Sequence, residues 1–173
     1  MANIIDESYF WEYEIAGITA STIGTTQQVG INNKLSKFQL FMNKYENEYL
    51  IAMFGETLAA NLPNELKILL YDENLKTSPV VGYVYFFYQR ANETRTTSAG
   101  EKKLTVQNTI HTSNAVKRVQ AWNEMVTKNI KIHNALSELG TLEYEVPLDY
   151  VTDILENIDV NNNIFKYINE FNI

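Results

Sequence analysis

Cysteine is absent from the 173 residues. Disulfides, thiolate metal sites, iron–sulfur clusters and cysteine nucleophiles are excluded together. Histidine occurs only as His111 and His133. No HExxH, HxE or paired-histidine spacing is formed, so no metal is expected, and both residues are read as structural or loop positions. Glycine and proline number seven and three. Gly17, Gly24 and Gly30 are not followed by Gly-Lys-Ser/Thr and do not match the dinucleotide fingerprint, which leaves them as turn residues.

Ser21, Ser98 and Ser113 lack the Gly-x-Ser-x-Gly elbow, and no Ser-x-x-Lys occurs. The carboxylate pairs Glu46/Glu48 and Glu143/Glu145 read as solvated charge rather than as acid and base. Neither a catalytic residue nor a cofactor is expected, and the joint absence of these signatures favours a structural protein over an enzyme.

Apolar runs are short as well. The longest, Val80 to Tyr88, is about half of the ~20 residues of a membrane span. The start, MANIIDESYFWEYEI, places acids among its apolar residues and lacks the basic region and continuous apolar core of a secretory signal. A soluble protein made in a reducing cytoplasm is expected, and the Asn92-Glu93-Thr94 glycosylation match carries no meaning there.

Basic residues are outnumbered 14 to 21, giving a net charge of −7 and a pI near 4.9. Such a field repels phosphate and argues against sequence-independent gripping of nucleic acid. The adjacent basic pairs Lys102/Lys103 and Lys117/Arg118 do not extend into a patch and read as solvated or interfacial faces.

What is present is enough for one domain. With 45% hydrophobic residues, a chain of this length buries roughly 70% of its unfolded surface. No internal repeat or low-complexity linker is found.

Residues 1–31 combine Tyr9, Phe10, Trp11 and Tyr13 among acids with the Thr/Gly stretch TASTIGTTQQVG, which predicts an extended arm that packs on something. From Asn32, Leu35, Phe38, Phe41 or Met42, and Tyr45 form one helical stripe. Tyr49, Leu50, Met53 and Phe54 continue it as a short second helix that Gly55 caps. Asn61 and Pro63 open a third segment bearing Leu66, Leu69 and Leu70.

Ser78 as N-cap and Pro79 in the first turn open a helix running to about Thr96. It is apolar nearly all round for its first ten residues, a content that also permits a buried strand. Residues 97–112, with Gly100 and the alternation of Leu104, Val106 and Ile110, predict a projecting loop or β-hairpin. Ser113 caps a long helix with Val116, Val119, Trp122, Val126, Ile130, His133 or Asn134, and Leu136 or Ser137 inward, which Gly140 ends. Pro147 and Asp149 begin a last region of two short helices around the turn VNNN.

The sum is a mainly α fold, a bundle of about five to seven helices. It has an N-terminal arm (1–31), a core (32–146) with the inserted loop 97–112, and C-terminal short helices (147–173) packed on the core or on a neighbour.

SPVVGYVYFFYQRANETRTTSAGEKK, followed by KRVQAWNEMV and preceded by NKYENEYLIAMFGETLAANL, resembles the head-to-tail connector (adaptor, neck ring) proteins of tailed bacteriophages, of the Bacteroides-phage or crAss-like type. Phe54, Gly55 and Glu56 stand in the family's Leu-Gly-Glu turn. Tyr83, Tyr85 and Tyr88 stand in its aromatic helix, Thr96, Thr97, Ala99 and Gly100 in its threonine-glycine loop, and Ala121, Trp122, Asn123 and Glu124 in the helix after it. The resemblance covers roughly residues 32–137.

It implies a virion structural protein, a helical subunit of a homo-oligomeric ring, expected to be a dodecamer. The ring would lie in the neck below the portal protein, contact further neck or tail proteins and extend the channel for passing DNA. An acidic chain suits such a channel, because repulsion prevents multiple phosphate contacts.

Ring assembly needs two different complementary surfaces per subunit. The expected interface residues are Tyr9, Phe10, Trp11, Thr96, Thr97, Gly100, Lys102, Lys103, Leu104 and Val106, with a fold-back of the arm and loop on their own domain as the alternative. Structural roles are expected for Gly55, Pro79, Trp122 in the core, and Asn123 as a pin for the loop before its helix. Competing functions are a small acidic binding or regulatory module of phage origin and a tail-completion or stopper protein.

Overall fold

Every residue from 78 to 86 is buried. A helix that is apolar all round has no solvent face to offer and must be enclosed by the rest of the chain. The structure, a computed structural model, describes residues 4–13, 29–92, 94–97, 100–103, 114–139, 155–156, 158 and 161–169. It encloses that segment as the helix α4 (Pro79–Asn92) between α1 (Val29–Phe54) and α5 (Asn114–Leu139).

Two short helices, α2 (Glu56–Ala60) and α3 (Asn64–Leu69), connect α1 to α4, and an antiparallel hairpin of β1 (Thr94–Thr97) and β2 (Gly100–Lys103) lies between α4 and α5. A 3-10 helix, Glu7–Tyr13, precedes the bundle, and a strap, residues 161–169, carries a single 3-10 turn at Asn163–Phe165. The fold is mainly helical, as the periodicity predicts.

Three signals act as read. Ser78 accepts the Val80 N–H on its Oγ at 3.2 Å, which caps α4, and buried Pro79 takes the first helical position, where its missing N–H removes nothing. Gly55 ends α1 with φ 79°, a region of backbone space open mainly to glycine. Its N–H still reaches Ile51 O at 2.8 Å while its carbonyl accepts the Ala59 N–H at 3.0 Å and starts α2.

Other expectations are corrected. The two helices read over 32–54 are one helix of 26 residues starting at Val29. Glu46 and Glu48 do not interrupt it, since glutamate is a good helix former, and Glu48 pairs with Lys44 one turn away at 3.7 Å. The helix begun at Ser78 stops at Asn92 rather than Thr96, because the threonines that follow suit a strand better.

The β character expected over 97–112 falls on 94–103; residues 104–112, with Leu104 and Val106, lie outside the described residues. So do Ser113, Gly140, Pro147 and Asp149, and residues 14–28 of the arm. The second of the two C-terminal helices is only a 3-10 turn, with Lys166 extended after it.

The α5 stripe is borne out at Trp122, Val126 and Leu136, which are buried, and corrected at its start and in its polar positions. Val116 is 40% exposed, whereas Arg118 and Asn129, polar and therefore left off the apolar stripe, are buried. The face turned to the core adds Ala121, Met125, Asn129 and Ile132 to the expected residues.

Packing is tightest between α4 and α5. A Cβ placed on Gly82 would lie 2.5 Å from Ala121 O and 2.9 Å from Met125 Cβ, so the absence of a side chain sets how closely the two helices approach. Aromatic rings fill the rest: Phe86 lies 4.7 Å from Trp122 between centroids, and Phe87 stacks on Tyr45 at 4.8 Å.

Gly82→Ala, although alanine is the better helix former, is expected to destabilise by about 1–3 kcal/mol because α4 must move off α5. Urea unfolding of the variant checks this. Equal or higher stability would show that the contact gives way freely.

Candidate interaction surface

Three attachments are built onto the bundle, and each is held differently. The C-terminal strap crosses α5, whose side chains bind its main chain. Asn129 Nδ2 donates to Ile164 O at 2.9 Å, Trp122 Nε1 to Lys166 O at 2.8 Å, and Asn123 Nδ2 to Ile168 O at 3.0 Å. Asn123 Oδ1 also accepts the Ile168 N–H at 2.9 Å. The bound carbonyls recur at every second residue, the first on the 3-10 turn and the next two on the chain that follows it, extended at Lys166.

Asn162 Nδ2 adds a bond to Ala52 O at the end of α1, 2.9 Å long. Ile164 and Phe165 are buried beneath the strap, while Tyr167 is 57% exposed on it.

Asn129 also accepts the Tyr49 hydroxyl at 2.5 Å, so α1, α5 and the strap meet at one buried amide. Burial pushes the Tyr49 phenol far above its usual range, which keeps it protonated and donating. Tyr83, which packs on Tyr49 and Trp122, is pushed up to about 12, first by burial and then by the Glu48 charge.

The N-terminal turn is clasped by a carboxyl. Glu46 is 5% exposed, and its Oε1 accepts the Ile4 N–H at 2.7 Å. Its Oε2 is buried with no hydrogen-bond partner among the described residues. Desolvation pushes the carboxyl up to about 6, against the opposing pull of the Ile4 and Ile5 main-chain bonds. The side chain borders a cleft of about 600 Å³ with Asn43, Asn47, Asn61 and Lys67 on its walls.

The hairpin is the third attachment, and its strands pair only with each other: among the described residues no third strand joins the sheet. Its register sets Thr94 opposite Lys103, Arg95 opposite Lys102, Thr96 opposite Glu101 and Thr97 opposite Gly100. Its main contact with the helices is β1 against α4.

The expected interface residues are thereby separated. Tyr9 and Phe10 are buried in the chain's own core, 6% and 0% exposed, and offer no surface to a partner. Phe10 meets Phe38 of α1 edge-on at 4.9 Å, and Lys76 Nζ covers the Tyr9 ring at 5.0 Å. The aromatic surface that suggests a partner is used internally, which is the fold-back alternative. The Trp11 backbone lies in the same 3-10 helix.

Thr96, Thr97, Gly100, Lys102 and Lys103 come together in the hairpin. Trp122 packs in the core as expected. Asn123 is a pin, and it holds the C-terminal strap; the loop it was expected to hold lies outside the described residues. The Arg118 side chain, read as part of a solvated face, is buried, and so is Glu46.

Sequence reasoning misses Asn129, Asn162 and Glu46 as connecting residues. A polar residue in phase with an apolar stripe, as Asn129 is with Trp122, Val126 and Ile132, is the signal that could have found the first. Among the described residues no group of His, Asp and Glu could hold a metal ion, and no helix is long and apolar enough to cross a membrane. Comparison with protein-family models, curated proteins and solved structures finds no match to this chain.

The Glu46 clasp makes stability depend on pH. Its carboxyl binds a proton more tightly folded, at about 6, than at the ordinary 4.5. The stabilisation is therefore complete below about pH 4.5 and lost as pH rises through 6, a change of about 2 kcal/mol. Glu46→Gln keeps an acceptor for Ile4 and removes the titration. Relative to the unsubstituted protein, this variant should gain about 2 kcal/mol between pH 4.5 and 7 in chemical unfolding; a difference constant with pH would refute the assignment.

Proposed function

We propose that this chain is a virion structural protein, a ring-forming connector subunit in the neck of a tailed bacteriophage, and that it has no catalysis of its own. The resemblance of residues 32–137 supports the reading. The structural observation that carries it is the hairpin between α4 and α5.

A two-stranded hairpin alone is marginally stable in water, and this one leaves its outer main-chain edges unpaired by any described strand. Residues 94–103 hold Arg95, Lys102 and Lys103 against the single acid Glu101, in a chain of net charge −7. Opposite placement of Arg95 and Lys102 disfavours the hairpin in isolation. An acidic surface would relieve that repulsion, and the body of a second copy is such a surface. A basic hairpin on one subunit and an acidic body on the next would be the two unlike surfaces that a head-to-tail ring requires.

The surplus of acid elsewhere would let DNA slide through the ring without multiple phosphate contacts. The portal protein above and a neck or tail protein below are the further partners in this reading.

Cryo-electron microscopy of the intact particle neck is expected to show this chain as a closed ring between portal and tail. Its absence from purified particles would overturn the proposal. The hairpin's part is checked separately with Arg95→Glu combined with Lys102→Glu. That variant should retain the helical circular dichroism of the parent and lose self-association by at least tenfold, measured by light scattering. Unchanged association would remove the hairpin from the interface.

A further inference from the structure

Glu46 of α1 and Lys67 of α3 stand on the walls of the same cleft, the one of about 600 Å³. Neither charge is fully used there. Glu46 is 5% exposed, yet its Oε2 has no hydrogen-bond partner among the described residues. The Lys67 ammonium makes no ion pair among them either, with Glu46 or with any other carboxylate.

A desolvated carboxyl with one unsatisfied oxygen gains from a donor, and most from a cationic one, because charge and hydrogen bond then act together. An unpaired ammonium on the same cleft favours an anion. The two groups line one space without meeting each other, so a ligand can stand between them. We infer that this cleft is a binding site for a small zwitterion of the amino-acid class, its ammonium on Glu46 and its carboxylate on Lys67. The inference goes beyond the ring reading and does not depend on it.

The other walls suit the same ligand. Leu50 and Leu62 offer apolar surface for a side chain, and the exposed amides of Asn47 and Asn61 offer donors and acceptors to its polar end. The volume lies in the range of small-molecule sites. Oε2 is itself covered, but the terminal torsion of a glutamate is broad, so a turn of the carboxyl brings that oxygen to a ligand.

Simpler ligands fit less well. An organic cation would set a like charge against Lys67, an anion would set one against Glu46, and an apolar molecule would leave both groups unpaired. A zwitterion satisfies both.

The test is calorimetric titration of the full chain at neutral pH with L-valine, L-leucine and L-phenylalanine. At least one is expected to bind saturably, with a Kd below about 10 mM. Isoamylamine and isocaproate, which are leucine stripped of its carboxylate or of its ammonium, should each bind at least about tenfold more weakly than leucine. Glu46→Gln turns an amide donor towards the ligand ammonium, and Lys67→Met removes the positive charge. Each variant should keep the helical circular dichroism of the parent and weaken the amino acid by at least about tenfold.

Saturable binding of none of the three amino acids would overturn the inference. So would binding that both variants leave unchanged, since the ligand would then sit elsewhere. Weakening by one variant alone would overturn the zwitterion, because only one of its two charges would be read.

Discussion

Asn129 has no accessible surface. An amide placed there must find hydrogen-bond partners, because an unpaired buried polar group costs about 1–3 kcal/mol. Its partners come from opposite ends of the sequence: the Tyr49 hydroxyl in α1 and the Ile164 carbonyl in the strap. Apolar contacts alone would tolerate sliding of α1 along α5, since one methyl group replaces another at little cost. A three-centre polar relay tolerates no such shift, so it fixes the register of α1 against α5 and of the strap against both. Gly82 sets the separation of α4 from α5 by a different means, steric contact with Ala121 O. One device specifies distance and the other specifies alignment.

The attachments add directional bonds to the burial that holds the bundle. The bundle is held by non-directional burial of Phe38, Met53, Val84, Met125 and their neighbours. The N-terminal turn and the strap bury Ile5, Phe10, Ile164 and Phe165 in the same core, and are held in addition by side chains reaching main-chain groups, Glu46 to Ile4 and Asn123 to Ile168. Opening of either attachment leaves most of the α4 core in place, so local opening at the two ends requires less free energy than global unfolding. Glu46 makes the N-terminal attachment weaker still above pH 6, since ionisation of a desolvated carboxyl opposes burial.

Much of the fold is legible in the sequence because its signals are local. Ser78-Pro79 states the start of α4 within two residues, and Gly55 states the end of α1 in one. The stripe Phe38, Met42, Tyr49, Met53 identifies a helix wherever it packs. The errors have a common physical origin: they concern what a helical face meets. Glu46 looks solvated beside Glu48, and only the return of Ile4 over a separation of 42 residues buries it. Tyr9 and Phe10 look too apolar for a free arm, which is correct, but the sequence contains no statement of whose core receives them. Asn123 is identifiable as a pin from its chemistry alone; its partner, 45 residues away, is beyond any local signal.

The same distinction bears on how an assembly could be built from this chain. A helical bundle presents convex faces that match a neighbour only by detailed shape, whereas a hairpin edge uses hydrogen-bonding groups that every peptide carries. Surfaces of the second kind place weak demands on side-chain identity. In the proposed ring, specificity would then come from charge, with the basic residues of 94–103 set against an otherwise acidic chain. A charged hairpin edge needs no large apolar interface, which accords with a core that already encloses Tyr9, Phe10 and Trp122 within a single subunit.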